Sequence, residues 1–356
     1  MKKKRMKVGL FIDNYYPNID GVTMVVDNLA RCLTKYADVV VVCPYIDGCD
    51  DKGFPYKVIR LKSLKVPFTS YKIVDVFCNK KELIKEEFDI IHIHSPFILG
   101  RIGINLAKKL NIPCISTLHT RFDFEFKRFV KNEVIAKKVA GVLIKSLNKC
   151  DLCTVVNDPL VLEARNYGYK GRIRIVYNGT DLKPAIFKSI KKNMINEMFN
   201  LKDEDKVMIF VGEGPDYEKL IDRVKEYNLE DDVILTGKIT DRKLLSYIYR
   251  RSDLLLFPSL FNTSSLVRIE AAVNMTPGLF IRESMVGSTI TDGVDGYLSE
   301  LDVNLYKNRI ISIFKNESEL KKVSRNAKKN LGVSWSEITK KYYKIYNEEI
   351  SIKKDC

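Results

Sequence analysis

Short apolar runs separated by segments of helical periodicity recur from Lys7 to Ile281, and no other feature restricts the fold of this chain as strongly. Lys7 to Asp13, Val39 to Cys43, Tyr56 to Leu61, Asp89 to Phe97, Cys114 to Leu118, Leu152 to Val156 and Arg174 to Tyr177 are strand-length. Strands that are apolar throughout are covered on both faces, the condition of a parallel sheet clad in helices. The first run is followed by a helix with Val25, Leu29 and Leu33 on one face, and the sixth by Asn157-Asp158-Pro159, a helix start. The alternation then restarts at Lys206 to Val211 and continues through Val233 to Thr236, Leu254 to Phe257 and a strand ending at Ile281.

Two α/β halves follow from this restart, and 356 residues with 46% hydrophobic side chains suffice for two cores. The expected division is a Rossmann-like domain over residues 1–182, a lysine-rich linker over 183–205, a second such domain over 206–334 and a terminal helix over 335–356. Ser334 or Ser336 caps that last helix, which carries Ile338, Tyr342, Tyr343, Ile345 and Tyr346.

The formal net charge of +15 comes from lysines spread over both halves and points to an anionic partner. Nucleotide phosphates and anionic lipid headgroups fit; nucleic acid is disfavoured because the lysines are dispersed and no recognition motif is present. No run reaches the roughly twenty apolar residues that span a bilayer, and Met1-Lys2-Lys3-Lys4-Arg5 leads into a strand-like run, so a cytoplasmic protein is expected. The eight cysteines lack metal or disulfide spacings, so reduced thiols and no metal site are expected.

Ligand candidates lie at strand ends. Asp20-Gly21-Val22 opens the first helix, and a glycine there suits both a structural turn and a loop whose amides meet phosphate or sugar. His92 and His94 alternate with isoleucines and share one sheet face, with His94 nearer the ligand end. His119-Thr120-Arg121 ends the next strand, where an imidazole can bond a reacting hydroxyl or a phosphate. Gly212-Glu213-Gly214-Pro215 is a glycine-bearing strand-to-helix turn. From Phe257 the chain passes through Pro258 and Asn262 to Ser264 or Ser265 as helix cap, then Leu266, Ile269 and Glu270.

Two basic, apolar stretches complete the reading. After Leu61, Lys62, Lys65 and Lys72 alternate with Val66, Phe68 and Tyr71, favouring an irregular solvated loop over a lipid contact. Phe122 to Cys150 reads as one or two basic amphipathic helices, with Ile135, Val139, Val142, Leu143 and Leu147 set against Lys131, Lys137, Lys138, Lys145 and Lys149. Core packing and interfacial membrane binding both account for it.

Taken in order, Tyr15-Tyr16-Pro17 with Gly21-Val22, Asp89 to Ser95, His119-Thr120, Asn178-Gly179-Thr180-Asp181, Val211 to Pro215, Phe257-Pro258-Ser259, Glu270-Ala271 and Asp292 to Tyr297 resemble the family 4 retaining glycosyltransferases of the GT-B fold. The resemblance implies two doubly wound Rossmann-like domains facing across a cleft, with the Trp335 helix crossing back to the first. It implies hexose transfer from a UDP- or GDP-linked sugar to an acceptor, without metal or other cofactor. On the donor side it implies Gly21, Val22, Gly212, Gly214, Pro258, Ser264, Ser265, Leu266 and Glu270, with Glu270 on the ribose hydroxyls. It implies His119, Asn262 and Glu270 at the reacting sugar. Tyr16, Lys65, Arg121, Lys137, Lys138 and Lys145 fall on the acceptor or membrane side. The charge and the two basic stretches are most similar to the diacylglycerol glucosyltransferase-like subgroup, which implies a membrane-lipid acceptor and a peripheral position on the inner face of the cell membrane.

The chain departs from the family pattern twice. Asn262 stands where the family has the first glutamate of a pair, and the second domain lacks the βα unit whose Gly-Arg loop and lysine grip the donor diphosphate. The alternative expectation is therefore a catalytically impaired relative that binds a lipid, a glycan or a partner glycosyltransferase.

Overall fold

A computed structural model describes residues 4–65, 72–121, 132–186, 192–199, 201, 207–260 and 265–355. The first half runs β1 (Lys7–Phe11), α1 (Gly21–Leu33), β2 (Asp38–Pro44), β3 (Lys57–Leu61), β4 (Ser63–Lys65), β5 (Lys72–Val74) and α2 (Lys81–Lys85). It continues with β6 (Ile90–Ile93), α3 (Ile98–Leu110), β7 (Cys114–Leu118), α4 (Glu133–Ser146), β8 (Leu152–Val155), α5 (Pro159–Asn166) and β9 (Ile173–Ile175). Seven strands form one parallel sheet in the order β3-β2-β1-β6-β7-β8-β9. The strand order reverses between β1 and β6, and a crevice opens outside the carboxyl ends of strands at such a reversal.

Alternation along each strand sends side chains to two separate cores. Phe11, Val40, Val42, Ile91 and Ile93 pack with α3, α4 and α5, whereas Val8, Leu10, Val39, Val41 and Ile90 face α1 and the C-terminal helix. That helix, α12 (Trp335–Asp355), buries Trp335, Ile338, Tyr342, Ile345 and Tyr346 as one stripe. Full burial of each such side chain contributes about 1.5–3 kcal/mol, so the last segment of the chain is a main stabiliser of the first domain. Ser334 and Glu337 start it with a reciprocal capping box: the Ser334 amide donates to Glu337 Oε2 at 3.0 Å, and the Glu337 amide to Ser334 Oγ at 3.3 Å.

The second half contains α6 (Lys192–Met198), β10 (Met208–Phe210), α7 (Tyr217–Glu226), β11 (Val233–Leu235), α8 (Arg242–Arg251), β12 (Leu255–Phe257), α9 (Leu266–Val273), β13 (Gly278–Ile281), β14 (Tyr297–Ser299), α10 (Val303–Phe314) and α11 (Glu317–Leu331). Its strands fall into two parallel ribbons, β10-β11 and β12-β13-β14, and no strand among the described residues joins them. Along β10, Met208 and Phe210 remain 38% and 39% exposed, whereas β13 is buried throughout.

Two expectations change, and a third falls only partly within the described residues. The segment after Leu61 is not wholly irregular, because its described ends pair as an antiparallel ribbon, Ser63 to Val74 and Lys65 to Lys72. Cross-strand pairing of β-branched Ile73 and Val74 outweighs the basic composition there. Between Phe122 and Cys150 the described α-helix is Glu133–Ser146, started by Asn132, whose side chain accepts from the amides of Val134 and Ile135; residues 122–131 lie outside the described set. The strand expected at Arg174 to Tyr177 spans Ile173–Ile175 instead, its register fixed by pairing with β8.

Candidate functional site

The carboxyl ends of β1, β6 and β7 bring Asp13, His94 and His119 to neighbouring positions at one edge of the sheet. Asp13 leaves β1 and stabilises the start of α3: its Oδ1 accepts from the Leu99 amide at 2.9 Å and its Oδ2 from Ser95 Oγ at 2.8 Å. Desolvation nevertheless pushes this carboxyl up to about 6 against those hydrogen bonds. Asp13 was not anticipated from sequence, because its partners lie more than eighty positions away.

The three histidines form a single buried column. His92 and His94 pack with ring centroids 4.1 Å apart, and His94 Nδ1 lies 3.0 Å from His119 Nε2 with the two rings stacked. Burial lowers all three imidazoles, His92 to about 3 and His119 to about 4, so the column is neutral at pH 7. The Asp20 carboxylate raises His119 in part, against the larger effect of burial. A neutral His119 serves as a hydrogen-bonding group, not as a cationic acid. His92 is held from behind, by Tyr346 of α12 at 2.7 Å and by Thr117 at 2.6 Å.

Gly21 is the first residue of α1, behind the cap Asp20, whose Oδ1 accepts from the Thr23 amide at 2.7 Å. Among the described residues, no atom beyond its chain neighbours and its own helix backbone lies within 4 Å of where a Gly21 Cβ would stand, so the space beside this helix start is open. Val22 follows, half-buried. Helix starts of this kind present unpaired amides to anions.

In the second half, Ser265 caps α9 by accepting from the Arg268 amide at 3.2 Å, with Leu266 half-buried behind it and Pro258 exposed at the end of β12. Glu270 lies in the middle of that helix, 8% exposed. Its Oε1 accepts from Arg242 Nη2 at 2.7 Å and its Oε2 from the Tyr249 hydroxyl at 3.3 Å. The same Nη2 reaches Asp181 Oδ1 at 2.6 Å, and the Asp181 charge in turn acts on Tyr16. Arg242 and Tyr249 carried no local signal, since they meet Glu270 across 28 and 21 positions. Asn262 and Ser264 lie outside the described residues.

The remaining expected residues are dispersed. Gly212 and Gly214 are exposed between β10 and α7, and Gly212 has a φ of +147°, a conformation that residues with side chains rarely adopt. Tyr16 turns its hydroxyl inward to Asp27 at 3.0 Å, and burial beside that carboxylate pushes it up to about 12. Arg121 lies three residues beyond β7 and 3.7 Å from Glu163. Lys65 is exposed on β4. On α4, Lys137 pairs with Glu133 at 2.7 Å, and Lys138 and Lys145 are exposed. The same helix exposes Val134 (62%), Ile135 (47%) and Val142 (60%) while burying Ala136, Ala140, Leu143 and Ile144. Among the described residues, no cluster of His, Cys, Asp or Glu is arranged to hold a metal, and no helix is long and apolar enough to cross a membrane.

Comparison with known proteins matches residues 19–184 to the model of Glycosyltransferase Family 4 and residues 163–330 to that of Glycosyl transferases group 1. The chain is 26% identical to the alpha-monoglucosyldiacylglycerol synthase of Streptococcus pneumoniae, over 82% of this chain and 75% of that protein. It is 25% identical to the alpha-monoglucosyldiacylglycerol synthase of Acholeplasma laidlawii, over 90% and 92% respectively. Among solved structures, the sucrose-phosphate synthase of Thermosynechococcus elongatus superposes with a TM-score of 0.79 at 18% identity, covering 98% of this chain and all of that one. HepE of Anabaena, solved in complex with UDP-glucose, superposes at 0.73 with 14% identity over 97% of this chain and 100% of its own.

Proposed function

The chain belongs to the family 4 glycosyltransferases of the GT-B fold, and from that premise we propose that it is a retaining hexosyltransferase that moves a sugar from a UDP- or GDP-linked donor to a membrane lipid. The donor class follows the UDP-glucose held by HepE, and the acceptor class follows the relatives that make monoglucosyldiacylglycerol. In this reading Glu270 takes the ribose hydroxyls, the start of α1 at Gly21 and Val22 faces the diphosphate, and neutral His119 bonds the transferring hexose. Transfer develops negative charge on the departing diphosphate and positive charge on the sugar, and oriented amides at helix starts stabilise the former.

One observation supports the lipid acceptor above others: α4 leaves Val134, Ile135 and Val142 in solvent beside Lys138 and Lys145. A helix that only covered the core would bury such β-branched side chains, whereas apolar residues flanked by lysine suit an anionic headgroup layer. This position is peripheral, on the inner face of the cell membrane.

The test is transfer of labelled hexose from UDP- and GDP-sugars to diacylglycerol in mixed micelles, with the anomeric configuration of the product read by NMR. Transfer with retained configuration is expected; transfer with inversion would overturn the retaining mechanism, and donor hydrolysis that no lipid can replace would remove the lipid acceptor.

A second reading is favoured by the split of the second sheet and by Asn262 in place of the family's glutamate: a relative with impaired chemistry that binds a lipid, a glycan or a partner glycosyltransferase. Vesicle binding without any binding of UDP- or GDP-sugars would select it.

A further inference from the structure

Arg242 is the first residue of α8, behind the cap Asp241, whose carboxylate accepts from the amides of Lys243 and Leu244. Two turns on, the same helix carries Tyr249, and the two side chains take one oxygen each of the Glu270 carboxylate, at 2.7 and 3.3 Å. An ionised carboxylate offers about four lone-pair positions, two on each oxygen. Glu270 uses one on each within the protein, which leaves one acceptor position per oxygen. That remainder matches a vicinal diol, which donates two O–H groups side by side.

The second contact of Arg242 Nη2 goes to Asp181, which directly follows Thr180 where the first half ends. The guanidinium therefore carries two carboxylates from opposite sides of the linker. Arg242 is half-buried and Glu270 almost wholly buried, so Glu270 has little water to compensate a lost partner.

We propose that Arg242 is a positioning residue: with Tyr249 it fixes the Glu270 carboxylate so that both oxygens meet the ribose diol of the donor, and through Asp181 it makes this alignment depend on how the two halves are joined. The inference rests on the reading that Glu270 receives the ribose.

A thermodynamic cycle between protein and ligand separates the two claims. The full chain is titrated by calorimetry with UDP and GDP, and with the 2′,3′-dideoxy form of whichever binds. Glu270→Gln is expected to weaken the natural nucleotide and to have little effect on the dideoxy form; an equal loss on both, or no nucleotide binding by the natural chain, overturns the ribose reading and the inference with it. Arg242→Gln is expected to weaken the natural nucleotide by roughly ten- to a hundredfold, the range for a hydrogen bond to a charged group, with most of that loss absent for the dideoxy form. Asp181→Asn should give a smaller loss of the same selectivity. If Arg242→Gln weakens both nucleotides equally while Glu270→Gln behaves as expected, the ribose reading stands and the positioning role is overturned. Tyr249→Phe guards against misfolding, because it removes only the hydroxyl on Oε2; a loss of a few-fold confined to the natural nucleotide supports the proposal, and an unchanged or unselective affinity counts against it.

Discussion

Thr180 and Ser334 form a parallel backbone bridge: the Thr180 amide donates to the Val333 carbonyl at 2.9 Å, and the Trp335 amide donates to the Thr180 carbonyl at 3.1 Å. The two segments that pass between the halves are therefore bonded to each other. Asp181, beside this crossing, holds Arg242, so the crossing and the candidate donor site are continuous through one guanidinium.

Gly179 is where this crossing is tightest. A Cβ there would stand 2.7 Å from the Ser334 carbonyl carbon and from the Trp335 nitrogen, and both are backbone atoms that cannot turn aside. Gly179→Ala is expected to destabilise the chain by about 1–3 kcal/mol, the range for overpacking, as a lower denaturant midpoint. An unchanged midpoint would mean that the two segments separate readily.

Tyr346 and His92 are 254 positions apart and both fully buried. Tyr346→Phe leaves the His92 Nδ1 without its partner and should cost about 1–3 kcal/mol. Transfer activity measured well below the unfolding temperature should change little, because the His94–His119 contact remains. A large loss of activity at unchanged stability would place α12 in the chemistry and contradict this expectation.

Acid should destabilise the protein earlier than surface carboxylates alone would. His92, His94 and His119 are lowered by burial, so as pH falls below the ordinary histidine value of about 6.5 the unfolded chain binds protons that the native chain refuses. Their contribution is complete above that pH and is lost towards about 4 for His119 and about 3 for His92. Asp13 works in the opposite sense, taking up a proton in the native state near pH 6. Each net proton steepens the loss by about 1.4 kcal/mol per pH unit. Urea titrations between pH 7.5 and 5 should give this slope, and His92→Gln should make it shallower; parallel slopes for the two chains would refute the assignment.

Asn262→Glu restores the charge pattern of the family. Transfer should rise if the donor site is otherwise complete, and should stay level if the departure expected at the diphosphate-gripping unit limits the reaction. The comparison is made on initial rates at saturating donor. A fall in rate would show that the amide, not a carboxylate, suits this loop.

Val134→Ser with Ile135→Ser tests α4. Co-sedimentation with anionic vesicles should drop several-fold while unfolding is unaffected, since both side chains already lie in solvent. Undiminished binding would exclude this face from lipid contact.

The first sheet was readable in sequence because its determinants are local. Continuous apolar runs such as Val39 to Cys43 have no choice but a doubly covered strand, and Asn157, Ser265 and Ser334 announce helix starts through their own neighbours' amides. Gly21 was legible for the same reason, at the start of a helix that follows a strand, whereas Glu270, in the middle of its helix, was named only through the family resemblance. The antiparallel pairing of Ser63–Lys65 with Lys72–Val74 was not, because strand pairing depends on a partner that composition does not name.

By itself, then, the sequence determined the parallel α/β architecture and the strand ends that carry the candidate site residues. Only the tertiary structure decided which groups share those ends: Arg242 with Glu270 and Asp181, the neutral column of His92, His94 and His119, and α12 closing the first domain's core. Periodicity acts over a few residues, whereas these contacts join residues 25 to 254 positions apart and exist only once the chain has closed on itself.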